Sequence, residues 1–294
     1  MYKPKPPSRF HPTLLWPLAI LLMLAAVFYQ RRTGPTYPLR GQVTVAGRTA
    51  PTRLIRSEET TKPARVAVPD LGAPATLVWR HFPTQEAWTR VPMTRETTKA
   101  GAELAAYLPI QPPAGKVEYG VEVGEGAEVQ RLPAKSAVVL RYKGPVKLKV
   151  LLPHIAMMFI AVLLGLRTGL EALGGPRAPR KLIWATLGCM TLGGLVLGPM
   201  VQKAAFGAYW TGFPFGYDLT DNKTVLMWLA WVLAALVAGA REKRHEGMSR
   251  LAVVAATVAM TVVYLIPHSL RGSQLDYSKV KAGGNAHDAV VTGR

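Results

Sequence analysis

The chain has 294 residues, 49% of them hydrophobic, and a formal net charge of +19. The charge invites a nucleic-acid reading, but no basic–aromatic module and no recognition-helix pattern is present; basic residues beside apolar runs serve membrane topology and anionic headgroups. The single cysteine, Cys189, excludes an internal disulfide and a CxxC or zinc pair, and reads as a small helix-packing residue.

Five apolar stretches organise the chain, at roughly 13–29, 150–166, 182–201, 224–240 and 251–267. Each comes near the ~17–25 residues that a bilayer-spanning helix needs, and each is apolar all round rather than striped. The expected architecture is a mixed membrane protein with five transmembrane helices. Residues 1–30 form a cytoplasmic N-terminus and anchor, 31–149 an external β-sandwich inserted between helices 1 and 2, 150–270 a four-helix bundle, and 271–294 an external tail.

Lys3, Lys5 and Arg9 precede the first stretch. Arg177, Arg180 and Lys181 fall between stretches two and three, and Arg241, Lys243, Arg244 and Arg250 between four and five. If the spans alternate, all ten basic residues share one face, which the positive-inside rule places in the cytoplasm. The expected location is a bacterial inner membrane, with 31–149, the loop 202–223 and the C-terminus outside. The first stretch ends in Val27-Phe28-Tyr29-Gln30-Arg31-Arg32, with no small-x-small cleavage site, so it reads as an uncleaved anchor. Trp16 and Tyr29 suit the two interfacial belts.

Residues 37–149 change character. Short runs rich in Val, Leu, Thr and Tyr alternate with Pro, Gly and Glu clusters. Strands are predicted at 39–45, 52–56, 65–68, 76–81, 88–93, 103–108, 117–123 and 137–142, a spacing that reads as an all-β sandwich. The segment Leu108-Pro109-Ile110-Gln111-Pro112-Pro113-Ala114-Gly115-Lys116-Val117-Glu118-Tyr119 resembles the hairpin before the late strands of fibronectin type III-like and immunoglobulin-like bacterial ectodomains. That resemblance covers about a dozen residues. It implies a binding or spacer module without catalytic residues, and the missing Cys-Trp-Cys core excludes a true antibody-type domain. Trp79 reads as a core residue. The insert has one histidine, His81, and no Ser-His-Asp or paired-carboxylate pattern. Glu118, Glu122, Glu125 and Glu128 read as a solvated hairpin face, because Asp/Asn-rich calcium-loop spacing is absent.

In the membrane part, His154 follows Pro153 and His268 follows Pro267, so both histidines fall at the outer surface at matched depth. Met158 lies one turn below His154; Tyr264 and Met260 lie one and two turns below His268. Imidazole ligates haem, copper and zinc, which makes this pair a candidate for a haem or metal. The alternative is two interfacial residues satisfied by water and backbone.

The loop 202–223 carries Tyr209, Trp210, Phe213, Phe215 and Tyr217, aromatics suited to headgroup depth, and Gly212, Pro214 and Gly216, which turn it sharply. Asp218 or Thr220 is placed to cap the following helix. Asp218, Asp221, His154, His268 and Arg271 form a candidate polar cluster on the outer rim. Residues 279–294 show no periodicity and are expected to lack fixed structure. At the inner end, Arg167 and Glu171 are four apart and should pair. Gly194 and Gly198 form a GxxxG pattern, strengthened by Gly193, that permits close helix packing. No charged midplane relay and no inverted repeat supports a transporter, which ranks third.

The sequence shows no catalytic constellation, so a non-enzymatic role is expected. The leading expectation is a scaffold, assembly or accessory subunit whose external domain engages another membrane or periplasmic protein, with the bilayer as its other partner and no cofactor. The rival is a membrane redox or metal protein with a haem, metal or quinone site at His154 and His268.

Overall fold

The computed structural model describes residues 11–99, 101–239, 245–268, 270 and 272–292. Lys3, Lys5, Arg9, Arg241, Lys243, Arg244 and Arg271 lie outside them. A helix, α1 (Leu15–Thr33), leads into a β-sheet domain, followed by a helical bundle and a short C-terminal segment that returns to the domain.

The domain opens with a hairpin of β1 (Leu39–Val45) and β2 (Arg48–Leu54), in which Val45 faces Arg48 across the two-residue turn Ala46-Gly47. Both turn residues have positive φ, at 47° and 77°. That matches strand twist in a tight hairpin, although alanine there is unfavourable and gives no sequence signal. One sheet runs in the order β3 (Ser57–Glu59), β11 (Val138–Lys143), β9 (Lys116–Val123), β5 (Ala75–His81), β6 (Thr89–Pro92). β10 (Gln130–Leu132) extends it by pairing with the far half of β9. The other sheet is β4 (Ala64–Pro69), β8 (Gly101–Leu108), β7 (Thr94–Thr98).

The segment predicted as one strand at 88–93 is the place where the chain changes sheets. β6 pairs with β5, Met93 turns into the core at 8% exposure, and β7 pairs with β8. One hydrophobic core is shared by both sheets and the hairpin, including Val43, Val66, Leu77, Leu108, Val121 and Leu140. Tyr119, also in that core, has its hydroxyl satisfied by the Ile55 carbonyl at 2.7 Å. Trp79 is half-buried and packs on the edge of this core, as expected. The acidic run is partly a pairing face: Arg80 donates to Glu118 on the neighbouring strand, and Arg90 reaches across β5 to Glu122, each at 2.5 Å.

Among the described residues, four helices are long and apolar enough to cross a membrane: α2 (Leu148–Gly174), a continuous helix Arg180–Phe206, α5 (Leu219–Ala238) and α6 (Glu246–Leu265). α1 falls short of that standard because it ends in Gln30, Arg31, Arg32 and Thr33. The Arg180–Phe206 helix is α3 (Arg180–Met190) and α4 (Gly198–Phe206) joined through a π-helical segment, Thr191–Leu197.

Small residues set the packing. A Cβ on Gly165 would lie 2.6 Å from Met260, one on Gly169 2.5 Å from Thr257, and one on Gly194 2.7 Å from Thr224. The glycine-rich stretch of the third apolar run therefore packs within the chain, with Gly193 tightest on backbone. Trp231 fills the centre, its indole N–H donating to the Met260 sulfur at 3.4 Å. Arg167 and Glu171 pair at 2.6 Å, as their spacing predicts.

Gly193→Val should destabilise the bundle by about 1–3 kcal/mol, because a Cβ there would meet the Met157 Cβ at 2.9 Å and the Met158 nitrogen at 3.1 Å. Thermal unfolding of the detergent-solubilised chain measures it; a melting temperature equal to wild type would contradict this packing.

Candidate functional site

The candidate site lies at the end of the bundle that faces the β-sheet domain. There, the first backbone N–H groups of α5 have no intrahelical acceptor and its dipole favours negative charge. Asp218 answers as the N-cap: Oδ1 accepts from Thr220 N at 2.8 Å. Its second oxygen, Oδ2, accepts from Thr211 Oγ1 at 3.0 Å, Ser273 N at 2.9 Å and Ser273 Oγ at 3.1 Å. Asp221 Oδ2 accepts from Thr211 N at 2.7 Å and Gln202 Nε2 at 2.9 Å. Both carboxylates are almost completely buried, at 3% and 4% exposure.

These bonds fold the loop after α4. Gly207 ends that helix in the left-handed region, with φ at 89°, its N–H donating to Lys203 O at 2.9 Å. Asn222 Oδ1 accepts from Phe213 N at 2.7 Å, and the Trp210 indole donates to Phe213 O at 3.1 Å. Gly212 sits where a Cβ would lie 2.6 Å from the Asp221 Cβ. The backbone of the loop is thus pinned, while four of its aromatic rings point away from the fold: Tyr209, Phe213, Phe215 and Tyr217 are 61%, 74%, 82% and 80% exposed. Trp210 is half-buried at their base.

The β-sheet domain brings two buried cations to the same place. Arg141 of β11 lies over the Phe206 ring at 5.5 Å, and Lys116 of β9 donates to Gln274 Oε1 at 3.3 Å. Burial pulls Lys116 down to about 7 and Arg141 down to about 10; each also feels the opposing pull of Asp218, and Lys116 the repulsion of Arg141. Gly144, just after β11, is pressed against the end of α4: its N–H donates to Ala205 O at 2.8 Å. Lys223, 5% exposed, donates to the Ile266 carbonyl.

The C-terminal segment closes the junction, against the expectation that residues 279–294 lack fixed structure. β12 (Ser273–Leu275) pairs with β13 (Val290–Thr292), and α7 (Tyr277–Lys281) lies between them. Leu275 N donates to Ala114 O at 3.1 Å, and Tyr277 donates its hydroxyl to Gln111 Oε1 and Lys116 O at 3.1 and 3.0 Å. Tyr277 stacks on His81 at 4.3 Å, and Lys281 pairs with Glu86 at 2.5 Å. Two local signals announce this order. Asp276 caps α7 by accepting from Ser278 N at 3.0 Å, and Val290-Val291-Thr292 is β-branched throughout.

The predicted cluster is therefore partly assembled. Asp218 and Asp221 share the junction, but their hydrogen bonds go to Thr211, Ser273, Gln202 and Thr220. Among the described residues neither bonds a histidine, and Arg271 lies outside those residues. His154 Nδ1 pairs with the Gly193 carbonyl at 2.8 Å, in the π-helical segment. His268 is exposed, close enough for the charges of Lys223, His154, Asp218 and Arg141 to act on it. No group of three His, Cys, Asp or Glu that could hold a metal ion occurs among the described residues. Lys116, Arg141 and Lys223 had no sequence signal, because each lies far along the chain from the groups it meets, whereas Ser273, Gln274 and Tyr277 belong to a polar run after His268 that could be expected to fold back over the rim. Comparison with protein families, curated proteins and solved structures gives no match.

Lys116 sets a pH dependence. Its folded pKa of about 7 lies below the ordinary lysine value of 10.5. Between those values the unfolded chain binds the extra proton, so stability rises with pH from about 7 to about 10.5 and is flat in this term below 7. The solubilised chain should gain a few degrees in melting temperature, roughly 2–4 °C, over the alkaline part of that range. Lys116→Met should remove the gain; a variant with the wild-type slope would show that Lys116 is not its source.

Proposed function

We propose that this is a non-enzymatic membrane protein whose β-sheet domain and aromatic rim loop together form a docking face for another membrane or periplasmic protein. The observation that carries the reading is the rim loop itself. Three rings at 74–82% exposure stand on a backbone fixed by Asp221 and Asn222. Aromatic anchors held in advance bind with less entropy loss than mobile ones, and such residues dominate interface energetics. The domain is tied to the bundle through Arg141, Lys116 and the C-terminal segment, which holds the loop in place relative to the sheets.

Under this reading the β-sheet domain is an immunoglobulin or fibronectin III-like module. The two sheets around one core support it. α1 is a fifth span, with its N-terminus in the cytoplasm of a bacterial inner membrane and the domain outside. Its apolar run from Leu15 to Phe28 and the basic residues near the far ends of the other helices support that orientation. A reporter fused after residue 245 should then behave as cytoplasmic and one fused after residue 280 as external. Both on the same side would end the five-span arrangement.

One observation favours a second reading, the redox or metal protein. When His154 Nδ1 carries its proton toward the Gly193 carbonyl, Nε2 is left with a lone pair, the arrangement of a ligating imidazole. The visible absorption spectrum of the purified chain distinguishes the two, because a haem would colour it.

For docking, a photoreactive residue at Phe215 in native membranes should capture one discrete protein, and Phe213→Ala with Tyr217→Ala should reduce that adduct about tenfold or more. Adducts with lipid alone would turn the loop into a headgroup anchor and sink the docking reading.

A further inference from the structure

Between α1, α2 and α6 the bundle leaves a lateral groove of about 500 Å³. Leu22 and Ala26 of α1, Leu166 and Gly169 of α2, and Val258 and Leu265 of α6 are among its walls. Two threonines border it, and both hydroxyls are already satisfied. Thr257 Oγ1 donates to Val253 O at 3.0 Å and Thr261 Oγ1 to Thr257 O at 2.7 Å. Tyr264 brings the one other side-chain hydroxyl to the lining; the remaining walls are apolar, which makes the groove a poor site for water or a strongly polar ligand.

Its length and its two ends are specific. On α6 the lining runs from Val254 to Leu265. Eleven residue steps at a rise of 1.5 Å span about 17 Å, roughly half the ~30 Å hydrocarbon core of a bilayer. At the Leu265 end the gap between α1 and α6 is bridged, because Gln30 Nε2 donates to Tyr264 O at 2.8 Å. At the other end stands Arg250, one turn before Val254 on the same helix face. Its Nε donates to Ala172 O at 2.7 Å and its Nη2 to Leu173 O at 3.1 Å, and Leu173 lines the groove. Among the described residues no carboxylate pairs with Arg250. Among those residues its charge is offset only by the partial negative charge at the carbonyl end of α2, at the mouth of an apolar slot.

We propose that this groove seats one acyl chain of an anionic glycerophospholipid, with the phosphate at Arg250. The proposal rests on the helices spanning a bilayer, with α1 packed beside α2 and α6. The chain lies along the helix axes, where its methylenes replace the contacts that Ala25 and Ala26 are too small to make. The guanidinium keeps its carbonyl bonds and offers the remaining N–H groups to the phosphate, which selects an anionic headgroup over a zwitterionic one. A site of this kind ties α1 to the bundle through a lipid instead of through direct side-chain packing along its whole length.

The test uses the full chain purified in mild detergent, with palmitoyl-oleoyl phosphatidylglycerol or phosphatidylcholine added back and retention read by native mass spectrometry. One phosphatidylglycerol per chain should survive, retained about fivefold or more over phosphatidylcholine. Val258→Trp, which fills the groove from a lipid-accessible position, should cut retention about fivefold, and Leu22→Trp on the opposite wall should repeat the effect if the first variant folds poorly. Arg250→Gln should abolish the headgroup preference while leaving chain retention. Phosphatidylglycerol carrying a diazirine on its acyl chain should label the peptide containing Val254 to Leu265. Equal retention in all variants, labelling scattered over every helix, or a second copy of the chain cross-linked through Val258 would each overturn the proposal. Resistance to carbonate extraction is measured alongside: loss of the protein from membranes is a failure of the spanning arrangement, whereas a membrane-bound protein without selective lipid is a failure of the groove.

Discussion

The N-terminus of α5 presents unpaired N–H groups at the end of an apolar bundle, and the rim is arranged around Asp218, which caps them, and Asp221 in the first turn. Asp218 and Asp221 are nearly free of solvent contact, so their charge persists only if protein donors replace the lost water. Thr211, Ser273, Gln202 and Thr220 supply those donors. Two of them lie on segments that would otherwise be loose, the loop after α4 and the C-terminal segment. Removing one carboxylate would leave several buried donors unmatched, which costs more than the bond itself contributes. The carboxylates therefore pin the rim loop and help to hold the C-terminal segment, whose Leu275, Tyr277 and Ala289 form a small core of their own.

The same need for charge balance explains why the β-sheet domain is held against the bundle. Arg141 and Lys116 are costly to bury, and their mutual repulsion adds to the cost. Asp218 is the group that offsets it for both. A junction built this way is specific in orientation, because a small rotation of the domain would separate the cations from the carboxylate and leave them buried. It also fixes the rim loop relative to the sheets. An exposed aromatic loop on a mobile base would be a linker; on this base it is a surface with a defined shape.

Within the bundle, small residues take the place that polar bonds hold at the rim. Helices that share a hydrocarbon environment gain little from apolar burial against each other, so close approach and dispersion contacts decide their packing. Gly165, Gly169, Gly193 and Gly194 bring neighbouring side chains and backbone to distances that no Cβ would allow. The helix that carries Gly193 and Gly194 contains the π-helical segment Thr191–Leu197. It offers the Gly193 carbonyl to His154 and the Thr191 hydroxyl to the Trp228 indole at 2.9 Å. Where α1 meets α2 and α6, Ala25 and Ala26 of α1 lie along a groove that no side chain fills.

Four helices long and apolar enough to cross a membrane, a strand-rich insert and the capping role of Asp218 were legible in the residues alone, because each depends on near neighbours in sequence: apolar run length, turn-punctuated alternation, and a side chain two residues from the N–H it serves. The Arg167–Glu171 pair was legible for the same reason. The hairpin turn at Ala46-Gly47, the change of sheet at Met93 and the π-helical segment were not, since pairing and packing overrode local preference there. The junction depended on tertiary structure most of all. Lys116, Arg141, Asp218 and Ser273 span more than half the chain and carry no common motif. The energy that assembles them is the desolvation of charges brought together by the fold, a quantity that exists only once the fold has placed them out of water.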